Sequence, residues 1–320
     1  MIEKTLSLAI PCRADEPGLG STLDSLLAAC RSPALPSACL REILICLNGV
    51  SADRPSPPLH AVREFCTRHA ITLDEIDLAS AQERSPHAAA GLRCVVLVAG
   101  WRGKPRAMNA LWRWARGDLL AFCDADVRVA PDALARLYAQ LQNDARARLV
   151  AAREVPVVDA QASLWSRIGA LPYRFDFGNA GGRLFMIRTD ALISPLPEDL
   201  LLEDAWLTVA VGKSHVRKHM QAQVFFVPPQ TWNDYFAERV RTEAGKIQLR
   251  RQHAALLEHG PVAAYPWAEF VRRMTWPEYG LALVALAIRG LARLWAWGRL
   301  RRGGFYRLYR PFRSTKRWTG

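Results

Sequence analysis

The chain has 320 residues, half of them hydrophobic, which supports a large core and excludes a globally disordered protein. Its formal charge of +13 invites a nucleic-acid reading, but ten cations and no acidic residue follow Glu278, leaving about +3 for everything before. The basic character belongs to the tail, so nucleic acid is not the expected partner.

The first residues lead into only five apolar-leaning positions, Leu6 to Ile10, before Pro11, too short for the core of a signal peptide. The seven cysteines include no Cys-x-x-Cys pair, and several lie inside apolar runs such as Ile45-Cys46-Leu47. Buried free thiols in a reducing, cytoplasmic setting are expected.

Leu6 to Ile10 reads as a first strand stopped by Pro11, and Leu19, Leu23, Leu26, Leu27 and Cys30 recur at helical spacing. Glu42 to Leu47 is a second strand, apolar enough to be covered on both faces, and it ends in the polar loop Asn48 to Asp53. A loop over Pro55 to Pro58 precedes a helix through Val62 and Phe65, and residues 79–93 look irregular. Cys94 to Val98 is the next strand, followed by a helix from about Pro105 to Ala115. Leu119 to Cys123 is a strand, and a helix runs over Pro131 to Leu141 with Pro131 suited to its first turn. Strands alternating with helices predict an α/β fold with a mostly parallel sheet flanked by helices. Ligands in such sheets sit at the carboxyl ends of the strands, so the loops after Ile10, Leu47, Val98 and Cys123 are the ones to watch.

The last of these loops opens with Asp124-Ala125-Asp126. In an extended segment side chains alternate faces, so the two carboxylates point the same way. Two hard oxygen ligands at a strand end suit Mg²⁺ or Mn²⁺ held jointly with a substrate's phosphates. Taken alone the pair equally suits a solvated turn, which Asp favours. Lys104 and Arg106, at the start of a helical segment, are candidates to face a phosphate. Glu203-Asp204 by itself reads as acidic residues favoured in the first turn of a helix. His215-x-x-x-His219 has helical spacing but no third metal ligand, and is read as non-functional surface.

Five segments together carry a resemblance: Leu8-Ala9-Ile10-Pro11 with Asp15-Glu16, Ile45 to Asp53, Gly103 to Leu111, Ala115 to Asp126, and Leu202 to Leu207. In their order and spacing residues 6–250 resemble a family 2 glycosyltransferase, whose catalytic unit is a single Rossmann-like GT-A domain. The resemblance implies an inverting transfer from a nucleotide sugar, with uridine diphosphate sugars the usual donors and Mn²⁺ or Mg²⁺ as cofactor. It implies that Pro11, Asp15, Glu16 and Asp53 line the nucleotide, and that Lys104 and Arg106 meet the nucleotide or its diphosphate. Asp126 becomes the direct metal ligand, Asp124 lies nearer the ribose or a metal-bound water, and Asp204 is the catalytic base. Asn179 to Arg188 resembles a Gly-rich acceptor-side loop ahead of a strand. Tyr235 to Gly245 is similar to the interfacial helix of membrane-associated relatives, where Arg239 or Arg241 touches the diphosphate. That segment lacks the Gln-x-x-Arg-Trp pattern of processive relatives.

The division expected is a catalytic domain over residues 1–230 and a C-terminal helical region over 231–320. Tyr279 to Ile288 is a run of ten uncharged residues, short of the roughly 20 a span needs, and Arg289 and Arg293 interrupt its continuation. Spaced four apart, the arginines share a helix face. The expectation is an amphipathic helix at the cytoplasmic face of a membrane, cations toward anionic head groups, with Trp276, Trp295, Trp297 and Trp318 assisting. A packed helix with a solvated basic face and a spanning or re-entrant helix are the other readings. A lipid-linked or glycan acceptor follows from the tail. A sugar nucleotidyltransferase on a related fold would want a Gly-rich phosphate loop after the first strand, and Pro11 to Glu16 is not one. A nucleic-acid-binding protein would leave the aspartates and Glu203-Asp204 unexplained.

Overall fold

The computed structural model describes residues 3–36, 39–50, 56–80, 92–174, 181–191, 194–254 and 267–302. The chain divides into two compact units. The first comprises Met1–Glu154, Ala180–Glu198 and Ser214–Val224, and the second Val155–Asn179, Asp199–Lys213 and Phe225–Gly320.

In chain order the elements are β1 (Leu6–Arg13), α1 (Leu19–Cys30), β2 (Leu40–Asn48), α2 (Pro57–His69), β3 (Thr72–Asp77) and β4 (Arg93–Ala99). There follow α3 (Lys104–Trp114), β5 (Leu119–Cys123), β6 (Arg128–Val129), α4 (Ala133–Asn143), β7 (Leu149–Pro156) and α5 (Leu164–Ala170). The chain continues through β8 (Leu184–Arg188), α6 (Glu203–Val211), β9 (Val216–Phe226), α7 (Trp232–Gln252), α8 (Trp267–Arg273) and α9 (Trp276–Arg302).

The strands form one nine-stranded sheet in the order β3-β4-β2-β1-β5-β8-β7-β9-β6. From β3 to β5 all pairs are parallel, while β8 runs antiparallel to both β5 and β7. The parallel strands are apolar throughout because helices cover them, and Leu8, Ile10, Ile45, Val96 and Leu120 have almost no solvent exposure. The chain moves outward from β1 to β2 and later returns to place β5 on the other side of β1. That reversal leaves a crevice at the carboxyl ends of β1 and β5, where open α/β sheets hold ligands.

Three expectations change. β1 does not stop at Pro11 but continues to Arg13, with Pro11 opposite Cys46 of β2. Even-numbered residues of this strand bond toward β2, as Leu6 and Ala14 do, whereas Thr5 bonds toward β5. Pro11 therefore faces β5, whose pairing ended at Ala9, and its missing N–H removes no ladder bond. β3, unpredicted, is an edge strand of sequence Thr-Leu-Asp-Glu-Ile-Asp, paired only with β4 and too charged to show an apolar period. α4 starts at Ala133, two residues beyond Pro131, with Asp132 at its N-cap position.

In the second unit α7 is the central helix. Thr231 caps it by accepting from the Asp234 N–H, and Val240 and Ala244 pack on Leu201 and on Ala292 and Ala296 of α9. Tyr235 packs with Ile168 of α5 and Ile288 of α9. Arg289 of α9 bonds Glu243 of α7 at 2.8 Å, so the two tail arginines are not one solvated basic face: Arg289 turns inward and Arg293 is exposed.

Candidate active site

The first unit gathers the ends of β1, β2, β4 and β5 at the reversal point. β5 ends at Cys123, and the Asp124 N–H still bonds the Arg183 carbonyl at 2.8 Å, continuing the ladder with β8 for one residue. Ala125 and Asp126 then form a turn, so the strand alternation expected to carry both carboxylates past the end stops at Asp124. The turn is fixed from behind by Thr22 of α1, whose hydroxyl lies 2.9 Å from the Ala125 carbonyl and 2.8 Å from that of Val127. The same oxygen accepts the Val127 N–H at 3.2 Å, and Thr22 is 0% exposed.

Lys104, first residue of α3, reaches Asp124: its Nζ lies 2.7 Å from Oδ1 and 3.5 Å from the Gly182 carbonyl. Gly103 ahead of it has φ 133°, a left-handed conformation that favours glycine. Cys123, directly before the pair, is fully buried, and burial first, then the Asp124 and Asp126 carboxylates, push its thiol well above its ordinary value.

Around this pair the structure distributes the other first-unit residues singled out in the sequence. Asp15 is exposed and takes the Arg13 guanidinium on both carboxylate oxygens. Partial burial works to raise Asp15, and Arg13, with Arg102 beyond it, outweighs that and holds the carboxyl below its ordinary value. Glu16 is only 4% exposed and accepts the Gly18 N–H at 3.0 Å, while Gly18 abuts the Asp126 backbone. Pro11 is buried within β1. Arg106 bonds Glu198 at 3.0 Å and lies over the Trp101 ring at 4.8 Å. Asp53 and Asn179 lie outside the described residues.

Several residues given no individual role in the sequence analysis hold this arrangement. Asn48, the last residue of β2, ties β1 to the start of α3, donating to the Cys12 carbonyl at 2.8 Å and accepting the Gly103 N–H at 3.3 Å. Asn109 of α3 bonds both the N–H and the carbonyl of Leu196, at 2.8 and 2.7 Å, clamping the segment that ends at Glu198. Glu154 accepts from Arg183 at 2.9 Å and lies against Gly181, whose φ is +66°. Each joins residues far apart in the chain, and no spacing rule links them.

The second unit carries Asp204 and Arg241. Asp204 stands in the first turn of α6, and its carbonyl accepts the Thr208 hydroxyl at 2.8 Å. The loop entering α6 is tied to α7 by Gln248, which accepts the Leu201 N–H at 3.0 Å and donates to the Asp199 carbonyl at 2.9 Å. Leu200, Leu201, Trp206 and Leu207 around it are buried. Arg241 is partly buried on α7, and Arg239 pairs with Glu238 and lies 5.4 Å from the Tyr235 ring centre.

Among the described residues no three His, Cys, Asp or Glu side chains gather as a metal-binding group. A two-carboxylate turn fits a hard divalent ion that takes its remaining oxygens from water and substrate phosphate, which is the habit of Mg²⁺. His215 and His219 instead serve the backbone, His215 Nδ1 at 2.8 Å from the Arg146 carbonyl and His219 Nδ1 accepting the Ala222 N–H at 3.2 Å.

Residues 76–189, the stretch holding Lys104, Asp124 and Asp126, match the model of the family described as glycosyl transferase family 2. That stretch is about a third of the chain; over it the chain is similar to the family 2 glycosyltransferases, and its fold is of the GT-A type. No curated protein matches. The fold is similar to that of mannosyltransferase PcManGT from Pyrobaculum calidifontis, solved with GDP-Man and Mn²⁺, at TM-score 0.57 and 19% identity over 98% of this chain and 83% of that one. It is also similar to glucosyl-3-phosphoglycerate synthase from Mycobacterium tuberculosis, solved with Mn²⁺, UDP and phosphoglyceric acid, at TM-score 0.48 and 14% identity over 80% of this chain and 79% of that one.

Proposed function

We propose that this protein is a glycosyltransferase that moves a sugar, with inversion, from a nucleoside-diphosphate donor to a hydroxyl of a lipid-linked or otherwise membrane-associated acceptor. The observation that carries the donor half is the Asp124-Ala125-Asp126 turn at the reversal point of the sheet, with Lys104 at 2.7 Å from Asp124. Asp124 and Asp126 would hold Mn²⁺ or Mg²⁺, which when bound supplies Lewis-acid neutralisation of the departing diphosphate. Pro11, Asp15, Glu16 and Asp53 line the base and ribose in this reading, with Arg106 beside the diphosphate. UDP is the proposed carrier.

The remaining chemistry falls to side chains of the chain itself. Asp204 accepts the proton of the acceptor hydroxyl as that oxygen forms its bond to the anomeric carbon. The bond from that carbon to the diphosphate breaks with its electron pair leaving on phosphate oxygen, where Lys104 and Arg241 meet the developing charge. A single displacement inverts the centre. Residues 1–230 are the catalytic domain in this scheme, and 231–320 the helical region serving it.

The membrane half rests on α9, which is long and apolar enough to cross a membrane by length and composition. Its inner face packs along α7, a helix bearing Glu238, Arg239, Arg241, Glu243, Lys246 and Arg250, so a spanning α9 would draw those charges into lipid. Its outer face carries Trp276, Leu283, Leu291 and Leu294, with exposures of 89%, 69%, 57% and 70%. A helix apolar outside, with Arg299 and Arg301 at its end, suits a position lying in one leaflet at the cytoplasmic face.

The test is a donor panel with Mn²⁺ or Mg²⁺, including UDP- and GDP-sugars, that scores nucleotide release for wild type, Asp126→Asn and Asp204→Asn. Loss of turnover in both variants is expected. Undiminished turnover in both removes the site assignment, and loss in Asp126→Asn alone removes Asp204 as the base.

A further inference from the structure

We propose that Lys104 is a resident counter-cation: without donor it neutralises Asp124, and it yields that carboxylate to a divalent ion when a nucleoside diphosphate arrives. The inference rests on the reading of Asp124 and Asp126 as ligands for Mn²⁺ or Mg²⁺.

Asp124 and Asp126 put two like charges within one turn, an arrangement that repels unless a cation stands beside it. Lys104 is that cation, 2.7 Å from Asp124 Oδ1, and both side chains are sheltered, at 20% and 23% exposure. Other cations of this unit have acidic partners of their own: Arg13 pairs with Asp15, Arg106 with Glu198 and Arg183 with Glu154.

An ammonium and a divalent ion compete for the same carboxylate, because two cations on it repel each other. Loading the site with metal is then an exchange, in which breaking the Lys104–Asp124 pair opposes metal binding. Lysine suits this role: a compact charge on a flexible four-carbon stem can swing to a new anion without moving the backbone. Lys104 stands at the N-terminus of an 11-residue helix, where a diphosphate arriving between it and Asp124 would accept the ammonium. The donor thus removes the competitor at the moment it brings further oxygen ligands. Metal alone binds weakly, metal and nucleotide bind cooperatively, and by linkage each strengthens the other by the same factor.

The experiment is calorimetric titration of Mn²⁺ into the full chain, first without nucleotide and then with UDP or GDP, for wild type and four variants. Lys104→Met should bind Mn²⁺ alone about tenfold more tightly than wild type, within the roughly 5–150-fold span of linked sites. It should also bind metal-free UDP or GDP more weakly. Lys104→Arg, which keeps the charge, should stay near wild type. Arg102→Met, which removes a charge two residues away, should change Mn²⁺ affinity by less than about twofold. Thermal melts establish that each variant is folded, and Lys104→Gln, equally uncharged and held to the same tightening, takes the place of Lys104→Met if that variant is not. The proposal is overturned if Lys104→Met binds Mn²⁺ no more tightly than wild type, or if Arg102→Met tightens it as much. Asp126→Asn separates the underlying reading: if wild type and Asp126→Asn bind Mn²⁺ with nucleotide equally well, the carboxylates are not the metal site, and both conclusions fall.

Discussion

Gly245 of α7 lies so close to Leu202, the residue ahead of α6, that a β-carbon at position 245 would stand 2.4 Å from Leu202 Cγ. This contact, with Gln248 holding Leu201 and Asp199, makes α7 the template for the loop that delivers Glu203 and Asp204. Gly245→Ala would gain about 1 kcal/mol of helix propensity. Overpacking against Leu202 costs about 1–3 kcal/mol. The net expectation is a lower melting temperature together with reduced turnover, read by thermal melts and donor hydrolysis. A melt raised as propensity alone predicts would remove the contact's importance.

Thr22 offers a second positioning test. Its buried hydroxyl serves two carbonyls and one N–H of the turn bearing Asp126. Thr22→Val keeps the shape and leaves these groups unsatisfied, a loss of about 1–3 kcal/mol, whereas Thr22→Ser restores the hydroxyl. Mn²⁺ titration and melts should both show Val impaired and Ser near wild type; equal behaviour of Val and Ser would assign Thr22 to packing alone.

The Glu243 carboxylate, 5% exposed, ties α7 to α9. Burial works to raise it, but Lys246 and Arg289, each at 2.8 Å, outweigh burial and lower it from 4.5. A carboxyl lowered in the folded state adds stability that is complete above about pH 4.5 and is lost as pH falls through the lower folded value. Wild type should therefore lose more melting temperature than Glu243→Gln between pH 6 and 3. At pH 7 Glu243→Gln should be the less stable, by less than the roughly 3–5 kcal/mol of a fully buried pair, because Arg289 is 34% exposed. Parallel pH profiles would show that the pair makes no contribution.

On α9 the outer leucines are the handle. Leu283 and Leu294 face outward, and each leucine taken out of water contributes about 1.5–3 kcal/mol. Leu283→Asp with Leu294→Asp should release the protein from anionic vesicles in a flotation assay and leave its melting temperature within about 1 kcal/mol equivalent. Retention of the double variant on vesicles would move the membrane contact elsewhere. Complete resistance of the wild type to a carbonate wash would indicate a span instead.

Local pattern carried much of this molecule. β5 begins and ends where its apolar run does, because a covered parallel strand must be apolar at every position and its first polar residue is its boundary. α1 over Leu19–Cys30 follows its helical period in the same way. β3 escaped because an edge strand pairs on one side and tolerates charge, and the passage of β1 through Pro11 because only the neighbouring strand's length leaves that nitrogen without a partner to lose.

The sequence by itself determined the α/β order and the chemistry-bearing residues at the strand ends, since both are written in nearest-neighbour spacing. Only the tertiary structure decided what those residues touch. Lys104 and Asp124 are 20 positions apart, Thr22 and the Asp126 turn about a hundred, and Arg289 and Glu243 sit on helices whose own periods predict nothing about their pairing. Ion pairs and buried hydroxyls depend on distance in space, and chain folding fixes that distance only after the sheet order and the helix packing are both in place.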